Sequence, residues 1–204
     1  MRRETSTVVV LVGEPGEEIL GELAGSTNVS VARAPAAAAP ANGQPATERP
    51  GWERGALAMR EAARRRSTYV IVADDPLADV AASWRAMWNA PGGREGSVTF
   101  ETGAAEARAA WRDKRFDLPD YYVVIAPAEP DGTGADLYLG PLRAVRSRRV
   151  AIAGAFGAPA QAGQIVAALR SLEHGPWWPP LDEVLDAARR FYPGRLAEAQ
   201  IASP

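Results

Sequence analysis

Cysteine is absent from the 204 residues, and histidine (His174) and lysine (Lys114) each occur once. Without cysteine there are no disulfides, no thiolate metal sites and no cysteine nucleophile, a composition that fits a reducing compartment. One histidine excludes a histidine metal cluster within one chain. Any Ser-His-Asp triad would have to use His174, and no G-x-S-x-G supplies its nucleophile. No apolar run approaches the roughly 18 residues of a membrane span, and the run of about six near the N-terminus (TVVVLV, after Arg2 and Arg3) is too short for a signal-peptide core. A cytoplasmic protein with no membrane partner is therefore expected. Charge of one sign is lacking too: 23 basic and 25 acidic residues give a formal net charge of -2, so no overall field calls for nucleic acid. The basic residues are nearly all arginine and alanine is abundant, as a GC-rich bacterial genome would dictate. Arginine richness alone is then no sign of phosphate recognition.

What is present is apolar and strand-like. Hydrophobic residues make up 47% of the chain, enough for a sizeable core. Four runs, Thr7 to Gly13 (TVVVLVG), Thr68 to Ala73 (TYVIVA), Tyr121 to Ala128 (YYVVIAPA) and Arg149 to Gly154 (RVAIAG), show no polar alternation. Near-continuous Val/Ile runs of this length belong to strands buried on both faces. They predict a single α/β domain with a mixed, mostly parallel sheet and helices on both faces, with Tyr121 to Ala128 at its centre. Leu137 to Leu139 and Val150 to Ala153 are expected to form a C-terminal antiparallel hairpin whose tip is the arginine-rich stretch Arg143 to Arg149. Ser97 to Glu101 (SVTFE) alternates Val98 and Phe100 with polar residues, the pattern of a strand near the sheet edge, and Gly103 to Arg115 then reads as a helix capped by Thr102. Another helix is expected from Pro159 to Glu173, with His174 capping its end. Residues 1–33 read as a strand-helix-strand arm joining the main sheet and residues 51–204 as the main domain. Between them, residues 34–50 form an Ala/Pro-rich linker with prolines at 35, 40, 45 and 50, too poor in large apolar groups to repay ordering.

Catalytic signatures are weak. Ala153 to Pro159 (AGAFGAP) follows a buried strand and opens a helix, where the amides around Gly154 and Gly157 would suit an anion, but the spacing departs from G-x-G-x-x-G and no ribose-binding acid follows. The Gly13-Glu14-Pro15-Gly16 turn lacks the lysine and hydroxyl of a P-loop. Asp74 and Asp75 stand at the carboxyl end of a predicted strand, a usual ligand position, yet Asp-Pro is also an ordinary turn, so no metal site is assigned and no cofactor is expected. The stronger pattern is aromatic and basic. Trp177 and Trp178 are adjacent in HGPWWPP, and neighbours in an extended segment point opposite ways, so one of them has to be exposed or lie in a groove. With Arg143, Arg146, Arg148 and Arg149 they combine the residue types that dominate protein interfaces. The expectation is a non-catalytic accessory subunit binding a protein partner through this Trp/Arg surface, with homo-oligomerisation allowed for. Nucleic acid is disfavoured because the arginines lack interleaved aromatics. The competing expectation is a small-molecule enzyme or nucleotide-binding protein with its site at Asp74, Asp75, Gly154 and Gly157.

Overall fold

Five short apolar segments pair into one sheet in which every strand runs the same way. They are β1 (Thr7–Val12), β2 (Val29–Ala32), β3 (Tyr69–Val72), β4 (Tyr121–Ile125) and β5 (Val150–Ala153), arranged in the order β2-β3-β1-β4-β5. This is a computed structural model, and it describes residues 6–13, 15–36, 49–89, 94–125, 135–154 and 158–191. Val9 lies opposite Ile71 on one side and Tyr121 on the other, which fixes β1 as the middle strand. The expected centre, the run beginning at Tyr121, stands one place to the side, although all five residues of β4 are buried. Position within a parallel sheet is decided by the crossovers, and composition cannot report it.

The helices follow from the direction of each crossover. The connection from β1 to β2 runs one way along the sheet and carries α1 (Glu17–Ala24); every later connection runs the other way. Right-handed crossovers in opposite directions place their helices on opposite faces. Accordingly Leu20 and Leu23 of α1 pack with Val9, Leu11, Ile71 and Val123 on one face, joined by Ile165 and Leu169 of α6 (Ala158–Arg170). On the other face Val10, Val12, Val70, Val72, Tyr122 and Val124 meet α2 (Gly51–Ala62), α3 (Ala78–Asn89), α4 (Arg94–Arg112) and α7 (Leu181–Arg190). The period-two alternation of each strand thus divides two apolar cores. Residues 7–33 supply the middle and one edge of the sheet; of the expected linker, residues 37–48 lie outside the described part.

Two glycines are needed for this arrangement. Gly13 has φ +112°, and a Cβ there would stand 3.1 Å from both Cβ and O of Ile125, so the chain leaves β1 by a path that favours glycine. Gly55 brings α2 against the β3–α3 turn so closely that an added Cβ would sit 2.4 Å from the Pro76 nitrogen. One turn earlier, the Gly51 amide donates to Asp79 Oδ2 at 2.6 Å, so a carboxylate from α3 closes the start of α2.

Three expectations are corrected. No antiparallel hairpin forms: residues 138–149 are instead the helical crossover from β4 to β5, a π-helical turn (Tyr138–Leu142), a single α-turn (α5, Arg143–Val145) and a 3₁₀ turn (Ser147–Arg149). A parallel β4–β5 pair demands a crossover, and Leu137, Tyr138 and Leu142 are buried at helical spacing within it. Ser97 to Glu101 is part of α4, so Thr102 is a mid-helix residue whose hydroxyl donates to the Val98 carbonyl at 3.0 Å. Phe100 packs inward, one turn from Ala104 and two from Ala107, while Val98 is 63% exposed, so helical burial overrides β-propensity. Finally, α6 ends at Arg170, and His174 lies in the extended segment beyond it.

Candidate functional site

Two places gather the polar side chains that the sequence singles out among the described residues. The first is the stretch from Glu173 to Trp178, which enters no helix or strand. Its carbonyls have no neighbouring strand, and arginines from the β4–β5 crossover supply the missing donors. Arg148 Nη1 donates to the His174 carbonyl at 3.3 Å, Arg149 Nη2 to Gly175 at 2.6 Å, Arg149 Nε to Pro176 at 3.1 Å and Arg146 Nε to Trp177 at 2.7 Å. Four successive carbonyls are thus held by three guanidiniums. Arg149 also donates to the Asp120 carbonyl at 3.1 Å, and its guanidinium lies 4.8 Å from the ring centroids of both Tyr121 and Trp177. It is a buried cation between two aromatic rings, with each of its nitrogens bonded to a main-chain oxygen. Arg148 Nε pairs with Glu173 at 3.1 Å. Arg143 is exposed and takes no part in holding this segment.

The two tryptophans diverge, as neighbours in an extended segment must. Trp178 is buried: its indole N–H donates to the Pro119 carbonyl at 2.8 Å and its ring meets Tyr122 edge-on at 5.7 Å. Trp177 remains 37% exposed while stacked on Arg149. The structure therefore brings Trp177 together with Arg146, Arg148 and Arg149. It also assigns those three arginines a structural task that the sequence did not signal, because their partners are backbone oxygens. Trp84 is buried and donates to the Ala188 carbonyl at 2.8 Å, tying α3 to α7, and the half-buried Trp88 lies edge-on to it at 6.2 Å.

The second place is the carboxyl end of the sheet. Loops leaving β1 and its neighbours diverge to opposite faces there, the usual position for ligands in open α/β sheets. Asp74 Oδ2 accepts the Ala34 amide at 2.8 Å, fastening the chain that leaves β2. Asp75 turns into the apolar face. Its Oδ1 accepts the Leu77 amide at 2.9 Å at the entry to α3, and its Oδ2 accepts the Tyr138 hydroxyl from the crossover. The Tyr122 hydroxyl, fully buried, lies within the influence of the same carboxylate but without hydrogen-bonding geometry. Burial pushes the Asp75 carboxyl up to about 6; hydrogen bonds from the Tyr138 hydroxyl and the Leu77 amide, with the nearby Tyr122 hydroxyl, hold it down in part, and the Asp79 carboxylate adds to the rise. Burial first, and then the Asp75 charge, drive both tyrosines well above their ordinary range.

Gly154 is half-buried at the end of β5 and does not join this cluster, because β1 and β4 stand between β3 and β5, a separation of roughly 14 Å at ordinary strand spacing. Gly157 lies outside the described residues. Tyr138 and Tyr122 went unmarked in the sequence, since nothing local links positions 75, 122 and 138. Among the described residues no group of three or more His, Asp or Glu side chains is placed to hold a metal, and no helix is long and apolar enough to cross a membrane. Compared with protein families, characterised proteins and solved structures, the chain matches none.

Proposed function

We propose that the protein is a non-catalytic interaction subunit that binds a protein partner through the face built on Trp177 and the arginines of the β4–β5 crossover. One observation supports this reading above the others: Trp177 is an exposed indole whose carbonyl and ring are both fixed, by Arg146 and by the Arg149 stack. A large aromatic group already immobilised in the free protein loses little entropy on binding, which is the property of an interface anchor. Buried tryptophans serve the core; an immobilised exposed one offers apolar area to a partner. Capture from lysate of the native cell with wild-type protein and with Trp177→Ala, followed by mass spectrometry, tests the reading. The expected result is a partner retained by the wild type and lost by a variant that remains folded, as its circular dichroism shows. Identical partner sets would end the proposal.

A second reading, a small-molecule site at the carboxyl end of the sheet, is favoured by Asp75. A carboxyl that burial pushes up to about 6 and that accepts a tyrosine hydroxyl is a group suited to proton transfer. Under this reading a nucleotide or other small ligand raises the melting temperature of the wild type, and Asp75→Ala abolishes the rise. A thermal-shift screen in which no compound distinguishes the two proteins would dismiss it.

A further inference from the structure

β5 ends the sheet: β4 pairs with one side of it, and no described residue outside β4 shares a main-chain hydrogen bond with it. An open strand edge is a template for another strand, and proteins guard such edges with charge, proline or a bulge. β5 has none of these guards. Val150, Ala151, Ile152 and Ala153 are uncharged, pair with β4 in unbroken register and leave Ile152 44% exposed. The opposite edge differs: β2 exposes none of its four side chains, and Arg33, the residue after it, is ion-paired with Glu17.

We propose that β5 is a dimerisation edge, pairing antiparallel with β5 of a second copy about a two-fold axis normal to the sheet, so that the exposed Ile152 of each copy covers the other. Alternation limits the register. Val150 packs into the core of Tyr122 and Val124, Ala151 and Ala153 against that of Val123 and Leu169, and Ile152 shares the face of Val150. Residues directly opposite in an antiparallel pair share a face, so the best-overlapping registers set Ile152 on Ile152 or Ala151 on Ala151. Only the first places the two exposed isoleucines directly opposite. Charge permits the pairing: the strand and the residues after it, Gly154 to Gly157, are uncharged, so an antiparallel copy brings no like charge against Arg148 or Arg149. Symmetry selects the occupant. A β5–β2 contact between copies is head-to-tail and leaves an open edge at each end unless a ring closes it, whereas β5–β5 is complete at two. A four-residue edge buries less than the roughly 1,200 Å² of a standard interface, so the dimer is reversible, with a dissociation constant in the micromolar range.

Sedimentation velocity over a concentration series is the first test. The wild type should pass from 21.7 kDa to twice that mass as its concentration rises. Ile152→Lys, which puts a charge on the edge, should weaken the dimer about tenfold or more with unchanged circular dichroism. The second test uses the absence of cysteine. In Ile152→Cys the two thiols stand opposite each other, at a Cα separation that suits a disulfide. A mild oxidant should therefore cross-link this variant about tenfold faster than Val98→Cys, whose position on α4 is the more exposed of the two. A wild type that stays monomeric at about 100 μM, a dimer indifferent to Ile152→Lys, species that grow beyond the dimer, or Ile152→Cys cross-linking no faster than Val98→Cys would each overturn the proposal. Should Ile152→Lys fail to fold, the cross-linking comparison decides alone.

Discussion

Arg149→Met lowers the melting temperature by roughly 10 °C, the largest loss expected from a substitution in the arginine cluster. Methionine keeps the apolar stem and removes the guanidinium, so the carbonyls of Asp120, Gly175 and Pro176 lose their donor together and the Tyr121 and Trp177 rings lose the cation between them. Hydrogen bonds to a charged donor contribute about 1.5 to 3 kcal/mol each, and shared loss with partial hydration brings the total to about 3 to 5 kcal/mol. For a domain of this size that corresponds to about 2 to 4 °C per kcal/mol. Arg149→Lys recovers less than half, since an ammonium cannot reach three carbonyls in a planar fork. Thermal melts followed by tryptophan fluorescence measure both variants. A shift below about 2 °C for the methionine variant would mean that the segment is held by Trp178 and its prolines instead.

Asp75→Asn stabilises the protein at neutral pH. The folded chain holds the Asp75 proton up to about pH 6, above the ordinary value of 3.8, because burial penalises the charge. Between these two values the folded state binds the proton more firmly than the unfolded chain does. The corresponding stabilisation is fully present below the unfolded value and is lost as pH rises through about 6. Above that the ionised carboxylate sits in a site that disfavours it, at a cost of up to about 3 kcal/mol. Asparagine keeps an acceptor for the Leu77 amide and an amide group for the Tyr138 oxygen, and carries no charge. Glu17, Glu101 and Asp182 act in the opposite sense: arginine partners hold them below their ordinary values, so what they contribute is lost as pH falls through those lowered values. Denaturant titrations at pH 4 and pH 7.5 should show wild type and Asp75→Asn equal at the first and the variant more stable at the second. A variant whose stability relative to the wild type does not rise between the two pH values would show that Asp75 ionises without penalty.

How much of this was legible beforehand can be judged element by element. The four apolar runs all became strands, three of them covered in the interior of the sheet as such runs demand, whereas β5 is an edge strand that leaves Ile152 exposed. Their order was not legible, since it depends on which way each crossover turns. SVTFE failed because five residues are too few to separate period two from period 3.6 when a single aromatic fits both, and only the neighbours Ala104 and Ala107 decide. Leu137 to Leu139 failed for the same reason, with Pro141 adding a break that suits a π-helical turn as well as a strand end. At the site, the opposed directions of Trp177 and Trp178 followed from the extended backbone alone. The arginines' partners did not, because a carbonyl is present at every residue and leaves no mark in the sequence. Asp75 was marked by its place after a strand, whereas Tyr138, 63 positions away, was joined to it only by the fold.

The placement of β1 between β3 and β4 has a consequence during synthesis. Its neighbours are made late: Tyr69 follows Val12 by 57 positions and Tyr121 by 109. At translation rates of about 5 to 20 residues per second, the VVVLV stretch waits roughly 5 to 20 s before both of its edges can be covered. During that interval a sticky, unpaired strand trails from the ribosome, and a holding chaperone would find its grip there first.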